Sequence, residues 1–183
     1  MIFVSSQSVI EKNSSLFRHA YSEKFQIWLD HILFTWRWWL GILIIICCLW
    51  TLYKLTKNES RNRLLYVGFF TALLVTCLDL IGLFFGLWNY KYEVFPSINT
   101  YLPWDLLVIP TLVIVLLYVK PHHNPIIKGL ILGAITSFLG LPLLNWVGLY
   151  EPLNWHYIYS FPIQFGIYLL ADFMSKREKF TKL

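Results

Sequence analysis

Five long apolar segments, separated by short polar loops, dominate this sequence. They run over residues 34–53, 64–87, 102–119, 126–147 and 157–174. Each is long enough, or nearly so, to cross a hydrocarbon core, which needs roughly 20 helical residues. Hydrophobic residues make up 57% of the chain and charged residues only 14%, which is more apolar surface than one soluble core buries. The sequence therefore predicts an all-α, polytopic transmembrane helix bundle that occupies residues 32–175 as a single domain.

Residues 1–31 differ from the rest of the chain because charged side chains are scattered among their apolar positions. The charged residues are Glu11, Lys12, Arg18, Glu23, Lys24 and Asp30. The segment lacks the basic start and the small-residue cleavage site of a secretory signal. We expect it to form an amphipathic helix that lies in the membrane interface.

Lysine and arginine fall mainly in the loops on one side of the predicted bundle. They are Lys54, Lys57, Arg61, Arg63, Lys120 and Lys128, together with Lys176, Arg177, Lys179 and Lys182 in the tail. The opposite loops carry only Lys91. Because basic loops are retained in the cytoplasm, the sequence predicts a cytoplasmic tail at residues 176–183 and an external N-terminus. If the N-terminal segment instead enters the membrane as a sixth element, only its own end changes side.

Asp79 lies inside the second apolar segment. A charge there is costly in hydrocarbon, so we expect it to face protein or water and treat it as a candidate functional residue. Gly68, Ala72, Gly82 and Gly86 recur with it at helical spacing, which predicts a stripe of small residues against a neighbouring helix. Two interpretations stay open: a buried carboxylate that ties helices together, and a ligand-binding or proton-transfer role.

Polar and aromatic residues collect at the predicted outer end of the bundle. Many of the aromatic residues suit an interfacial belt, and Asp105 suits the first turn of a helix that begins at Pro103. Acids, an amide and a histidine at the same level also suit a pocket for an amphipathic ligand. The candidate ligand-binding residues are Asp79, Trp88, Tyr90, Trp104, Asp105, Asn145, Trp146, Trp155 and His156. Asp79 and Asp105 are also the candidate catalytic residues.

The sequence contains no motif typical of a metal site, a cofactor site or a nucleic-acid site. Cys47, Cys48 and Cys77 lie in predicted spans, so we expect no disulfide, and no spacing of Cys and His resembles a zinc site. Adjacent residues such as His122 and His123 rarely bind the same ion. The net charge of +5 is spread over membrane-proximal loops, where topology and anionic lipid headgroups explain it.

Several segments of the chain fit a known pattern. They are the span around Asp79, the W-x-Y element at residues 88–90, the third-span Pro110 and the ending at residues 157–177. In these features, and over nearly its whole length, the sequence resembles a family of small multi-pass membrane proteins from spore-forming Gram-positive bacteria. The activity of that family is uncharacterised. The resemblance implies a bacterial cytoplasmic membrane.

Residues 88–119 carry a second, local resemblance. The W-x-Y element is followed by Leu102, Pro103 and Trp104 and then by Asp105. This arrangement is similar to the membrane lycopene cyclase domain, in which a W-x-Y element precedes an L-P-x-E-E motif. The acids of that motif are implicated in protonating the polyene. Asp105 takes the position of the first acid, and Leu106 takes the position of the second.

Three functional hypotheses follow from the sequence. The favoured one is binding of a lipid or isoprenoid-like ligand, without a cofactor, in an outward-facing aromatic and acidic cavity formed by spans two to five. The second is an isoprenoid cyclase-like enzyme in which a protonated Asp79 or Asp105 acts as a general acid on an isoprenoid double bond. The third is a component of transport or of membrane-complex assembly, in which Asp79 relays protons or pairs with a partner's charge. The expected partners are the bilayer and this ligand, with no nucleic acid.

Overall fold

Helices make up most of the computed structural model, which describes residues 6–56, 61–96, 100–119, 121 and 123–177. The predicted helical fold class is confirmed. Several residues on which the predicted orientation depends lie outside the described part of the chain: Lys57, Lys120, Lys179 and Lys182. The same holds for His122 and for the tail from residue 178 onward.

The described residues form seven α-helices, three π-helical segments and two short strands. The α-helices are α1 (Ser6–Ile27), α2 (Trp36–Leu55), α3 (Arg61–Phe84), α4 (Ile109–Tyr118), α5 (Pro125–Ile135), α6 (Leu141–Val147) and α7 (Tyr157–Ser175). The π-helical segments are π1 (Trp28–Ile32), π2 (Pro103–Val108) and π3 (Thr136–Gly140), and the strands are β1 (Trp88–Tyr90) and β2 (Tyr150–Pro152). The five apolar segments correspond to α2, to α3, to π2 with α4, to the continuous rod α5–π3–α6, and to α7.

Within the described residues, three helical rods are long and apolar enough to cross a membrane. They are Trp36–Leu55, Arg61–Phe84 and Pro125–Val147, and Pro103–Tyr118 is a shorter apolar helix. Rods of this length and composition match the thickness of a bilayer's hydrocarbon core. The structure thus agrees with a helical membrane protein, whereas the number of spans stays a prediction.

The second apolar segment forms α3, which ends at Phe84, earlier than the sequence predicted. Gly86 has a φ of +63°, a left-handed conformation that glycine adopts at little cost and that commonly closes a helix. The N–H of Leu87 then donates to the carbonyl of Gly82 at 3.0 Å. Gly86 therefore lies beyond the helix, and its predicted place on the stripe of small residues is wrong.

A π-helical segment precedes each of two prolines inside the predicted spans. Pro110 is the second residue of α4, directly after π2, and Pro142 is the second residue of α6, directly after π3. Proline has no N–H, and its ring crowds the carbonyl four residues earlier. Both rods accommodate their proline beside a locally widened turn, a feature that often occurs at functional sites.

Small residues bring α5 and α7 close together. A Cβ added at Gly129 would lie 2.9 Å from the ring of Phe165, and one at Gly133 would lie 2.9 Å from the carbonyl oxygen of Phe161. These glycines therefore permit a close approach of the two helices.

Strands β1 and β2 pair antiparallel, with Tyr90 opposite Tyr150. We call this pair of strands the ribbon. Because β1 follows α3 and β2 follows α6, the ribbon joins these rods at the end of the bundle that the sequence predicts to be external. The main core lies beneath it and includes the buried Val75, Ile109 and Leu149.

Helix α1 lies largely exposed and is held to the bundle near its C-terminal end. Lys24 Nζ lies 2.8 Å from Glu93 Oε1, and Trp28 Nε1 donates to the Glu93 carbonyl at 3.0 Å. In α2, Trp38 Nε1 donates to the carbonyl of Val94, also at 3.0 Å. These contacts place the end of α1 at the same end of the bundle as the ribbon. Membrane contact by α1 stays a prediction.

Candidate functional site

A cavity of about 190 Å³ lies beneath the ribbon, between α3, π2, α6 and α7. Apart from its aromatic residues, its polar lining consists of two aspartates, a serine and a glutamine. The residues that line it are Val75, Leu78, Asp79, Ile81, Gly82, Leu87, Trp88, Tyr90, Trp104, Asp105, Leu141, Tyr150, Trp155, Ser160, Ile163, Gln164 and Ile167. Six of the nine candidate residues predicted from the sequence are among them.

Asp79 is buried on the inner face of α3 and accepts two hydrogen bonds from the first strand of the ribbon. Its Oδ1 accepts from Trp88 Nε1 at 2.9 Å and from the hydroxyl of Tyr90 at 2.8 Å. Trp88 and Tyr90 are the Trp and Tyr of the W-x-Y element, and residues two positions apart on a strand point to the same face. Both aromatic side chains therefore reach the same carboxylate, and the element holds Asp79.

Gly82 provides the space for the Trp88 indole. A Cβ added at Gly82 would overlap the six-membered part of that ring. Gly82 lies one helical turn after Asp79, on the same face of α3. The glycine therefore allows the indole to pack against the helix backbone while its N–H reaches the carboxylate.

Asp105 is 1% exposed and lies beside Asp79. The Oδ2 atoms of both aspartates accept no hydrogen bond from any described donor, and the two carboxyl groups lie within hydrogen-bonding reach of each other. Carboxylates only accept hydrogen bonds, so a bond between two carboxyl groups needs a proton on one of them. The pair thus forms a buried acid site.

Segment π2 positions Asp105, and the neighbouring Trp104 anchors the segment. Pro103 begins π2 and Asp105 lies in its first turn, as predicted. The ring of Trp104 packs against Gly140 at the end of π3, where an added Cβ would lie 2.5 Å from the ring. A glycine at this point lets the indole fill the space between the two π-helical segments.

Three buried tyrosines extend the site under the ribbon. The Tyr90 ring lies 5.9 Å from the Tyr101 ring and 5.7 Å from the Tyr150 ring. Burial raises the pKa of the Tyr90 hydroxyl well above its usual range, and nearby Asp79 and Asp105 raise it further. Burial also raises the pKa of Tyr101 to about 12 and that of Tyr150 still higher. These phenols therefore stay neutral hydrogen-bonding groups at physiological pH.

Trp155 closes the side of the cavity next to α7. Its ring meets the Trp88 ring edge-on, with 5.1 Å between centroids, and its Nε1 donates to Ser160 Oγ at 2.9 Å. The amide oxygen Oε1 of Gln164, one turn further along α7, is buried and has no described hydrogen-bond partner. An unsatisfied acceptor in a cavity is available to a ligand that donates a hydrogen bond.

Three of the predicted site residues do not line the cavity. Asn145 is exposed and donates through Nδ2 to the hydroxyl of Tyr157 at 2.8 Å. Trp146 is 83% exposed, and the exposed His156 makes a ring contact with Tyr159 at 5.4 Å. All three lie at the end of α6 or just before α7, near the ribbon, and none of them lines the cavity.

Several lining residues were missed by sequence reasoning. Tyr150, Ser160 and Gln164 line the cavity, and Gly140 supports it through Trp104. The spacing of Ser160, Gln164 and Ile167 places them on one face of a helix, a signal that was present in the sequence. Tyr150 lies opposite Tyr90 because the two strands of the ribbon pair, and no spacing in the sequence indicated this pairing.

Asp79 does not pair with Arg37. Such an ion pair would have explained the burial of Asp79 by a structural role alone. Arg37 Nε donates to the carbonyl of Val147 at 2.7 Å, and its guanidinium carbon lies 4.4 Å from the centre of the Tyr92 ring. The hydrogen bonds to Trp88 and Tyr90 do give Asp79 a structural role. Oδ2 of Asp79 and the carboxyl group of Asp105 can still form hydrogen bonds inside the cavity.

The site offers an acid pair enclosed by aromatic and aliphatic walls. In the described part of the chain, no group of three or more His, Cys, Asp and Glu side chains is arranged to hold a metal ion. A protonated carboxyl can donate a hydrogen bond or transfer a proton, and indole and phenol faces suit unsaturated or cationic groups.

Comparison of the chain with protein-family models, with curated proteins and with solved structures gave no match.

Proposed function

We propose that this protein binds a lipid or isoprenoid-like molecule in the cavity beneath the ribbon. The observation that supports this most directly is the Asp79–Asp105 pair, whose Oδ2 atoms receive no hydrogen bond from a described donor although Asp105 is 1% exposed. Buried polar groups are normally satisfied. A ligand with a hydrogen-bonding end would satisfy this pair, and the surrounding aliphatic and aromatic side chains would contact its apolar part.

Native mass spectrometry of the purified protein tests this proposal. We expect a co-purifying or added lipid-like molecule to remain bound to the wild-type protein and to be lost from Asp105→Asn and Asp79→Asn. Asp172→Asn is the matched control, because Asp172 pairs with the exposed Lys176 outside the cavity and its loss should leave binding unchanged. Retention of the same molecule by both cavity variants would contradict the proposal.

We assign the protein to a bacterial cytoplasmic membrane, with five spans and a cytoplasmic C-terminus. The support is the basic loops, the three long apolar rods and the resemblance to membrane proteins of Gram-positive bacteria. Fusions of alkaline phosphatase and of a fluorescent protein after Lys91 and after Arg177 test the orientation. The phosphatase should be active only at the first position, and the reverse pattern would overturn the assignment.

A second candidate function is acid-catalysed cyclisation of a polyene or polyprenyl chain. It is favoured by one observation: Asp79 supplies a second carboxyl group beside Asp105, although Leu106 occupies the second acid position of the cyclase-like motif. The protonated carboxyl would add its proton to a carbon–carbon double bond. Attack by a second double bond would form the ring, and loss of a neighbouring proton would restore an alkene and the acid.

Such a reaction yields an isomer of unchanged mass. The test is incubation of the membrane-reconstituted protein with polyene and polyprenyl substrates, followed by chromatographic separation of isomers. A cyclised product should form with the wild-type protein and disappear with Asp105→Asn. The absence of product from both substrate classes would rule out this candidate while leaving the binding proposal intact.

A further inference from the structure

The most exposed residues of the cavity lining are aliphatic. Of the described residues that line it, only Leu78, Ile81 and Ile163 are exposed, at 36%, 54% and 38%. Leu78 and Ile81 lie on α3, and Ile163 lies on α7. On helices that cross a membrane, exposed aliphatic side chains at this level face lipid chains. The accessible rim of the cavity therefore lies at the side of the bundle, between these two helices.

The end of the cavity nearest the ribbon is closed by backbone hydrogen bonds and by aromatic rings. The carbonyl of Leu87 accepts from the N–H groups of Leu153 and Asn154, at 3.0 and 2.9 Å. The Trp88 and Trp155 rings meet beneath these bonds. The acid pair thus lies deep inside and not at a polar mouth, which differs from the expectation of a pocket that opens outward.

The cavity is too small to enclose a whole lipid. Its volume of about 190 Å³ is below the roughly 300–1,000 Å³ of pockets that surround a drug-sized molecule. A long-chain molecule can place only one end inside, and the rest of its chain must leave through the rim.

The charge of the cavity lining restricts which chemical group the ligand can place inside the cavity. Asp79 and Asp105 are acidic, and no lysine, arginine or histidine is among the described lining residues. Burying an anionic phosphate beside two acids without a cation is strongly unfavourable. A hydroxyl group both donates and accepts hydrogen bonds, so it matches the Oδ2 atoms of the two aspartates and Oε1 of Gln164, which accept no hydrogen bond from a described donor.

We infer that the ligand is a neutral long-chain alcohol that enters sideways from the membrane between α3 and α7. Its hydroxyl lies at the Asp79–Asp105 pair, and its chain passes between Leu78 and Ile163 into the surrounding hydrocarbon. This inference rests on the proposed binding function and adds the class of ligand and the route of entry.

Two photoreactive probes test the inference on the full-length wild-type protein in phosphatidylcholine vesicles. Each is a long-chain primary alcohol with an alkyl diazirine, placed next to the hydroxyl in one probe and at the methyl end in the other. After irradiation, mass spectrometry maps the labelled peptides. We expect the first probe to label the peptides of Asp79 and Asp105, and the second to label lipid-facing residues of α3 and α7 around Leu78, Ile81 and Ile163.

The outcomes separate this inference from the proposed function. If neither probe gives saturable labelling, both fail. If labelling is saturable but the methyl-end probe labels the ribbon, binding stands and sideways entry is overturned. An unlabelled alcohol should displace the probes about tenfold better than its monophosphate, because the phosphate adds an unpaired charge beside the acids. Equal displacement would overturn the assignment of a neutral alcohol.

A pair of variants adds a steric test. Ile163→Trp narrows the rim. Because the larger side chain crowds the route of entry, labelling by the probe with its diazirine next to the hydroxyl should fall about tenfold. Leu170→Trp is the matched control, because Leu170 is exposed on the same helix but does not line the cavity. Equal labelling of both variants would contradict the proposed route.

Discussion

The carboxyl groups of Asp79 and Asp105 face each other in the interior of the bundle, although one belongs to α3 and the other to π2. Two aromatic donors hold Asp79 through its Oδ1, and the Oδ2 atoms of both acids accept no hydrogen bond from a described donor. The pair therefore combines an anchored acid with a less constrained one. We therefore expect substitution of Asp79 and substitution of Asp105 to change the free energy of unfolding by different amounts.

Replacing Asp79 tests its role as an acceptor. Asp79→Leu should leave Trp88 Nε1 and the Tyr90 hydroxyl without a partner, and we expect it to lower the free energy of unfolding by about 2–4 kcal/mol. Asp79→Asn should cost less, because its amide oxygen can still accept both bonds. Thermal and denaturant unfolding in detergent measure the difference. Equal losses for the two variants would show that the hydrogen bonds do not stabilise the fold.

Substitution of Gly82 tests the packing of the Trp88 ring. Gly82→Ala should force the indole away from α3 and destabilise the protein by about 1–3 kcal/mol. Gly166→Ala is the matched control, since Gly166 also lies in a helix and no other group lies within 4 Å of an added Cβ. Because alanine favours helices, the control should be neutral or stabilising by up to about 1 kcal/mol. A neutral Gly82→Ala in unfolding experiments would contradict the close contact.

Stability should depend on pH through Glu93. Burial raises the pKa of this carboxyl from 4.5 to about 7, although Lys24 partly offsets the effect. Over this range the folded protein retains a proton that the unfolded chain releases. The resulting stabilisation is full below pH 4.5 and is lost as the pH rises through about 7. Unfolding free energies measured across this range should therefore fall with pH, and Glu93→Gln should remove much of that slope.

The control for this pH effect is Glu151→Gln. Glu151 pairs with Lys91 at the same end of the bundle, but its side chain is 39% exposed. Its replacement should leave the slope between pH 4.5 and 7 in place. A slope that survives Glu93→Gln unchanged would assign the pH dependence to another group.

The Lys24–Glu93 ion pair should couple α1 to the bundle most strongly above pH 7. Lys24→Met leaves a buried carboxylate without its cation, and we expect a loss of about 1–3 kcal/mol for this partly exposed pair. The double variant with Glu93→Gln should recover much of that loss, which a double-mutant cycle measures. Lys12→Met, at an exposed position of α1, serves as the control. A zero coupling energy would show that the pair does not hold α1.

The positions of the helices were largely predictable because hydrophobic length is a local property. The apolar segments correspond to helical rods, and only the end of α3 was misjudged, where Gly86 adopts a left-handed conformation. The inward direction of Asp79 was also predictable, since a carboxylate facing lipid chains is costly. The orientations of Asn145 and His156 were not predictable, because each lies near a helix end, where small changes in backbone direction turn a side chain inward or outward.

Sequence alone determined that this chain forms long apolar helices, that it has an acid within one of them and that aromatic residues gather at one end. These properties follow from composition and helical spacing, which act between near neighbours in the chain. Only the tertiary structure decided that Asp79 meets Asp105, that Gly82 admits the Trp88 indole and that the exposed rim lies between α3 and α7. Those relationships depend on how distant segments pack, and packing is set by the shapes of side chains on both partners.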